Sequence, residues 1–197
     1  MPAATLTPPT QTTSHENDRQ ALFELIRTLS FKQGHFILAS GKPSNYYLDC
    51  RLTALHAQGA DLIGRQLHQI IAPYHVDAVG GVLMGAAPLV TAVSLASVQA
   101  GHPIPGFLIR KEAKDHGAGK QVEGHVAPWM RVALVEDVVT TGGSLIKGIE
   151  ALRREVPQIQ IACVVGLVDR NAGGAEAFSQ LGLPFECLYN VREFLAE

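Results

Sequence analysis

Apolar positions recur in two rhythms along the 197 residues. A helical spacing places Leu22, Phe23, Ile26 and Leu29 on one face, with Asn17 or Asp18 as the cap and an end near Ser30. The same spacing returns in Leu62, Ile63, Leu67, Ile70 and Ile71 and predicts a helix over 56–72. Strand-like runs lie near 35–39 and 45–50, then at Val76–Val79, Gly106–Ile109, Arg131–Val135, Ile161–Val168 and Phe185–Tyr189. Helical patterns over about 88–100, from Leu145 to Glu155 and after Gly174 separate several of them. Such alternation predicts an α/β fold, an open, mainly parallel sheet flanked by helices and joined by right-handed crossovers. Residues 18–55 fall outside the alternation and are expected to form a small N-terminal hood within a single domain over 18–197.

One stretch changes that picture if length alone is read. Residues 78–109 contain no Asp, Glu, Lys or Arg, which would nominate a membrane span. Gly80, Gly81, Gly85 and Pro88 break the run, however, and Gly101-His102-Pro103 ends it. A buried strand, a glycine turn and a helix fit better, because strands and helices inside a parallel α/β core lack charge. Residues 1–17 hold neither Lys nor Arg and no apolar core of a secretory signal, and are expected to be a disordered leader.

Composition and charge narrow the function classes. With 47% apolar and 17% charged residues the chain is that of a globular protein, and 6% aromatics imply an aliphatic core. Sixteen Lys and Arg against eighteen Asp and Glu leave a net charge of −2, which argues against nucleic acid or a membrane surface as the main partner. Three cysteines, Cys50, Cys163 and Cys187, are odd in number and far apart, as in a reducing cytoplasm rather than in a disulfide framework or a zinc site.

In open parallel sheets ligands bind beyond the carboxyl ends of the strands. One strand end carries unusual chemistry. The apolar run Arg131–Val135 leads into Glu136-Asp137, then Val138-Val139, then the turn Thr140-Thr141-Gly142-Gly143-Ser144 and a helix. Two carboxylates at the end of a buried strand are costly without a hydroxyl, cation or water partner. A small, hydroxyl-rich turn at a helix N-terminus offers free amides and the positive end of the helix dipole to a phosphate. Thr141 and Ser144 as ordinary helix caps and a solvated acidic pair would explain each half separately. Together the halves point to a ligand with vicinal hydroxyls beside its phosphate, a sugar phosphate.

The same segment, VALVEDVVTTGGS, resembles the phosphoribosyl-pyrophosphate (PRPP) motif of the type I phosphoribosyltransferases. There the acids hold the ribose 2′- and 3′-hydroxyls and the loop amides hold the 5′-phosphate. Rival nucleotide motifs fail: Gly117-Ala118-Gly119-Lys120 lacks the Ser/Thr and first Gly of a Walker A loop, and no GxGxxG follows a strand. A second segment, Arg110-Lys111-Glu112-Ala113-Lys114-Asp115-His116-Gly117, carries three cations and a histidine on a glycine-hinged loop reaching to about 127, fit to close over a polyanion. It is similar to the catalytic loop of the orotate phosphoribosyltransferases, one branch of that family. The segment from Phe36 to Asp49, with Tyr46-Tyr47, resembles the part of that branch that contacts orotate. Asp169-Arg170-Asn171-Ala172-Gly173-Gly174 resembles its Asp-Arg-x-x-Gly-Gly turn, whose arginine pairs with the orotate carboxylate.

The resemblance covers about residues 18–190 and implies transfer of a phosphoribosyl group from PRPP to orotate in pyrimidine biosynthesis, in a cytoplasmic homodimer with shared sites. It implies catalytic roles for Lys114 and Asp137. PRPP would lie on Arg110, Lys111, Lys114, His116, Glu136 and Asp137 and along Val138, Val139, Thr140, Thr141, Gly142, Gly143 and Ser144. Orotate would lie on Tyr46, Tyr47, Thr140 and Arg170, and Mg²⁺ would arrive bound mainly through PRPP, without a protein metal site. Two departures stand out. Ala39 occupies a position where many relatives carry Lys, and Leu83-Met84 replaces the Tyr-Lys that some carry in the glycine turn. A purine phosphoribosyltransferase and a non-catalytic PRPP sensor on the same fold are the alternatives; no added helix-turn-helix segment favours the sensor.

Overall fold

A computed structural model describes residues 11–37, 41, 43–112 and 120–196, with side chains inside the first helix from His15 onward. That helix, α1, spans Gln11–Leu25 and loosens into a π-helical turn over Ile26–Ser30. It therefore starts ahead of Asn17 and Asp18, and Gln11–Asn17 is helix rather than leader. Strands β1 (Phe31–Ile37) and β2 (Pro43–Leu48) pair antiparallel as a separate two-stranded sheet. A single turn, α2 (Arg51–Ala54), leads to α3 (Ala57–Ile71).

The chain then alternates as its periodicity requires. β3 (Ala78–Val82), α4 (Ala86–Gln99) and β4 (Gly106–Ile109) account for the uncharged stretch. β5 (Val122–Gly124) follows, then β6 (Arg131–Val139), α5 (Gly143–Glu155), β7 (Gln160–Asp169), α6 (Gly174–Gln180), β8 (Phe185–Asn190) and α7 (Val191–Leu195). The six-stranded sheet runs in the order β5-β4-β3-β6-β7-β8, parallel except for β5, which pairs antiparallel with β4. The segment from 111 to 127 is thus not wholly loop, since β5 closes the open edge of β4. Among the described residues no helix is long and apolar enough to cross a membrane.

Burial follows the layers. All of β3 and β7 from Ala162 onward are buried, as expected of strands covered on both faces. Leu22, Ile26, Ile63, Leu67 and Val93 pack with Ala133 and Val135 on one face of β6. Leu145, Ile149, Leu152 and Phe178 pack with Val132 and Leu134 on the other. Each such aliphatic side chain contributes roughly 1.5–3 kcal/mol by leaving water.

The hood is smaller than the sequence implies. α1 belongs to the main body: Arg19 donates to Glu193 at 2.7 Å and to the Leu188 carbonyl at 3.0 Å, and Tyr189 donates to the Arg19 carbonyl at 2.6 Å. Phe23 stacks on Phe194 with centroids 4.5 Å apart. Among the described residues, only β1 and β2 form a separate small sheet.

Candidate functional site

The acidic pair does not follow β6 but lies inside it, because the strand continues to Val139 and pairs with β7 as far as Asp169. Side chains alternate across a strand, so neighbouring acids part to opposite faces. Glu136 turns toward the start of α5, beside Leu145 and Phe178. Asp137 turns toward the start of α4. There the Gly85 backbone comes so close that a Cβ on Gly85 would sit 2.3 Å from Asp137 Oδ1, so any side chain at this position would displace the acid.

Both carboxyls are held above the usual carboxylate range. Burial pushes Glu136 up to about 8, with the negative charge of Asp137 adding to it and nearby Lys111 opposing. Among the described residues, Glu136 Oε2 is buried without a hydrogen-bond partner. Burial likewise raises Asp137, against the amide of Val138, which donates to its Oδ1 at 2.9 Å. A buried carboxylate oxygen of this kind calls for a hydroxyl donor or a cation.

Beyond β6 the turn Thr140–Ser144 runs into α5 through Gly142, whose φ of 74° lies in the left-handed region. Gly142 is also the N-cap residue and brings no side chain to the helix's first amides. Thr141 and Ser144 are exposed, and the turn encloses a small cleft of about 90 Å³ with Glu136 on its wall. Free amides, a helix dipole and hydroxyls converge there, as a phosphate requires.

This cleft adjoins a cavity of about 600 Å³ lined by Glu136, Asp137, Val138, Thr140 and Ser144. Its other walls are Tyr47, Leu48, Asp49 and Arg51 after the hairpin, Val82 to Gly85 after β3, Lys111 after β4 and Arg170 after β7. The carboxyl ends of four parallel strands therefore meet in one cavity, as the sheet's topology dictates. The Leu83–Met84 peptide bond in its wall is cis.

The two tyrosines divide. Tyr47 is 41% exposed and lines the cavity. Tyr46 lies behind it, packed on Phe31 at 5.7 Å, and its hydroxyl accepts a hydrogen bond from Arg170 Nε at 2.9 Å. The cationic segment divides too. Lys111 lines the cavity, whereas Arg110 turns to Glu123 of β5 at 2.9 Å and does not line it. Lys114 and His116 lie outside the described residues, as does Ala39.

One charged lining residue escaped the sequence reading. Arg51 reaches the cavity from the start of α2, gripped by Asp49 through Nε and Nη2, each at 2.7 Å. The signal was the Asp-x-Arg spacing directly after a strand, which by itself reads as a helix start.

The phosphoribosyl transferase domain model matches residues 52–179. An orotate phosphoribosyltransferase of Rhodopirellula baltica is 42% identical over 187 residues, covering 92% of this chain and 96% of its own length. Its counterpart in Synechocystis is 44% identical over 174 residues, covering 88% of this chain and 86% of its own. The crystal structure of Mycobacterium tuberculosis orotate phosphoribosyltransferase in complex with PRPP has a TM-score of 0.75 at 33% identity, over 90% of this chain and 98% of that one. Adenine phosphoribosyltransferase of Thermoanaerobacter pseudethanolicus, at 12% identity and a TM-score of 0.62, shares the fold alone. At 42–44% identity over most of its length, the chain belongs to the orotate phosphoribosyltransferases.

Proposed function

We infer that this chain transfers the 5-phosphoribosyl group of PRPP to orotate, releasing pyrophosphate and forming orotidine 5′-phosphate in pyrimidine biosynthesis. The observation that carries the reading is the unpartnered Glu136 carboxylate beside the open amides of the α5 turn, one facing hydroxyls and the other a phosphate. The 5′-phosphate sits on Thr140–Ser144 and the ribose hydroxyls on Glu136 and Asp137. Arg170 offers its remaining N–H fork to the orotate carboxylate, with Tyr47 against the ring and Thr140 nearby. A purine has no carboxylate for that fork, so the purine reading recedes.

Displacement at the anomeric carbon passes through an oxocarbenium-like state, as in glycoside chemistry. The side chains do little covalent work. Catalysis comes from holding the two substrates in register and stabilising charge on the departing pyrophosphate. Lys111, Lys114 and His116 supply that stabilisation, and Asp137 holds the ribose as charge develops on it.

Mg²⁺ fits this site as a passenger of PRPP. Glu136 and Asp137 are two carboxylates, and among the described residues no group of three or more His, Cys, Asp or Glu could hold a metal ion. A cation carried in by PRPP would be held mainly by the substrate, with Glu136 and Asp137 as the acids at hand. Its chemistry there would be to neutralise charge on the leaving pyrophosphate.

The working unit is a homodimer, with the Lys114 segment of one copy reaching the other's site. Support comes from an apolar groove of about 660 Å³ between α2, α3 and α4, continuous with the cavity through Arg51 and Met84. Leu55, Met84 and Leu95 are 76%, 72% and 63% exposed along it, a surface that a second copy would cover. Three free cysteines fit a cytoplasmic enzyme.

Orotate consumption, measured with and without PRPP and Mg²⁺, tests the assignment. Loss of orotate is expected only when both are present. Equal turnover of adenine, hypoxanthine or guanine, or full activity in excess chelator, would overturn it.

A further inference from the structure

We propose that Arg51 binds the pyrophosphate group of PRPP, with Asp49 as its positioning residue. The proposal rests on the PRPP reading above and adds a cation that stands in no motif of the family quoted from the sequence. The sheet order places the groups. β3 and β4 lie on one side of β6 and β7 lies on the other. Arg170, after β7, thus marks one flank of the acidic pair. Met84, Gly85 and Lys111, after β3 and β4, mark the opposite flank, where Arg51 also lines the cavity. With the 5′-phosphate on the α5 turn and orotate toward Arg170, the other substituent of the anomeric carbon faces the β3 flank.

That flank needs positive charge, and several of its described residues do not supply it. Leu83 and Met84 are apolar, and Arg110 is taken by Glu123. Arg51 meets the need in chemistry and in geometry. Asp49 takes two of the five N–H donors of its guanidinium. The remaining donors form a planar fork suited to phosphate oxygens. The side chain is about half exposed, while that of Asp49 is largely covered, so the pair presents the cation and shields the anion. The amide of Arg51 also donates to Asp49 Oδ1 at 3.2 Å, which fixes the base of the side chain against the start of α2. Arg51 also acts on Asp137 electrostatically, lowering its pKa against the effect of burial.

A structural role alone, pinning α2 to the end of β2, would use the same bonds to Asp49, so the test must read binding. Calorimetry with inorganic pyrophosphate and Mg²⁺ on the full chain compares wild type, Arg51→Ala and Arg51→Lys, alongside thermal midpoints and native mass. Arg51→Ala is expected to weaken pyrophosphate at least tenfold and to raise the PRPP KM similarly. The orotate KM and the native mass should stay unchanged, and Arg51→Lys should recover part of the loss. Asp49→Asn, which keeps one acceptor but drops the charge, should weaken pyrophosphate less than Arg51→Ala. Unchanged pyrophosphate affinity in Arg51→Ala overturns the proposal, whatever happens to the thermal midpoint. So does a loss that appears only with dissociation of the oligomer. A wild type that binds pyrophosphate through Arg51 yet consumes no orotate would overturn the orotate assignment and leave this proposal standing.

Discussion

Arg170 and Tyr46 lie 124 residues apart in the chain, yet Arg170 Nε donates to the Tyr46 hydroxyl at 2.9 Å and the guanidinium carbon stands 4.7 Å from the centroid of the same ring. A hydrogen bond and a cation–π contact to one side chain fix the plane of the guanidinium. The hairpin thereby orients an arginine that belongs to the end of β7.

Replacing Arg170 with Ala is expected to raise the orotate KM far more than the PRPP KM, by about 2–4 kcal/mol in binding, because a carboxylate loses its charged partner. Tyr46→Phe keeps the ring and removes only the acceptor, so its cost should be about 0.5–1.5 kcal/mol on orotate. Steady-state kinetics with each substrate varied in turn decides this. A rise confined to PRPP would assign Arg170 to the other substrate.

Glu136 makes stability depend on pH. Its carboxyl titrates near 4.5 when unfolded and at about 8 in the folded chain. Between those values the folded state binds more protons than the unfolded one, so stability from this group falls as pH rises from about 4.5 to about 8. Glu136→Gln removes the penalty. The variant should gain on the order of a few kcal/mol relative to wild type at pH 8 and nothing at pH 4. It should also bind PRPP poorly, since the ribose loses a carboxylate. Thermal midpoints of both proteins across that range measure the first effect, and a constant difference between them would refute it.

Gly85 leaves no room for a side chain beside the Asp137 carboxylate. Gly85→Ala places a Cβ 2.3 Å from Oδ1 of the acid, which must rotate away. The expected result is a tenfold or greater fall in kcat/KM for PRPP, roughly 1.4 kcal/mol or more in transition-state stabilisation. A stable variant with unchanged kinetics would show that the position of Asp137 does not matter to the reaction.

Mixing inactive subunits tests the shared site. Lys114→Ala and Asp137→Ala should each be nearly inactive, by lesions in different halves of one composite site. Random exchange makes half the dimers hybrids with one intact site, so activity should recover to about a quarter of wild type. No recovery, with hybrids seen by native mass spectrometry, would mean that each site is built from one chain. Leu95→Asp in the apolar groove should in turn shift the dimer toward monomer in sedimentation.

The amino-acid sequence alone determined whatever depends on neighbours in the chain. A buried strand, an acidic pair, a small turn and a helix start are contiguous over Arg131–Glu155, so the hydroxyl-rich turn and the acids beside it were legible from composition and order. The ends of β4 and α5 were legible for the same reason, with Gly and Pro marking one and the turn the other. Tertiary structure decided what no local rhythm encodes. β5 has three residues, too few for a period, and is a strand because β4 offers it an open edge. Gln11–Asn17 shows no apolar face, and its helix docks through polar contacts such as the Gln66 side-chain amide on the His15 carbonyl. That Glu136 and Asp137 part to opposite faces follows from β6 running on to Val139, where β7 supplies the backbone partners. The roles of Arg51, Arg110 and Tyr46 are pairings across the fold. Chain closure brings those partners together, and only closure distinguishes a cation facing the cavity from one neutralised by Glu123.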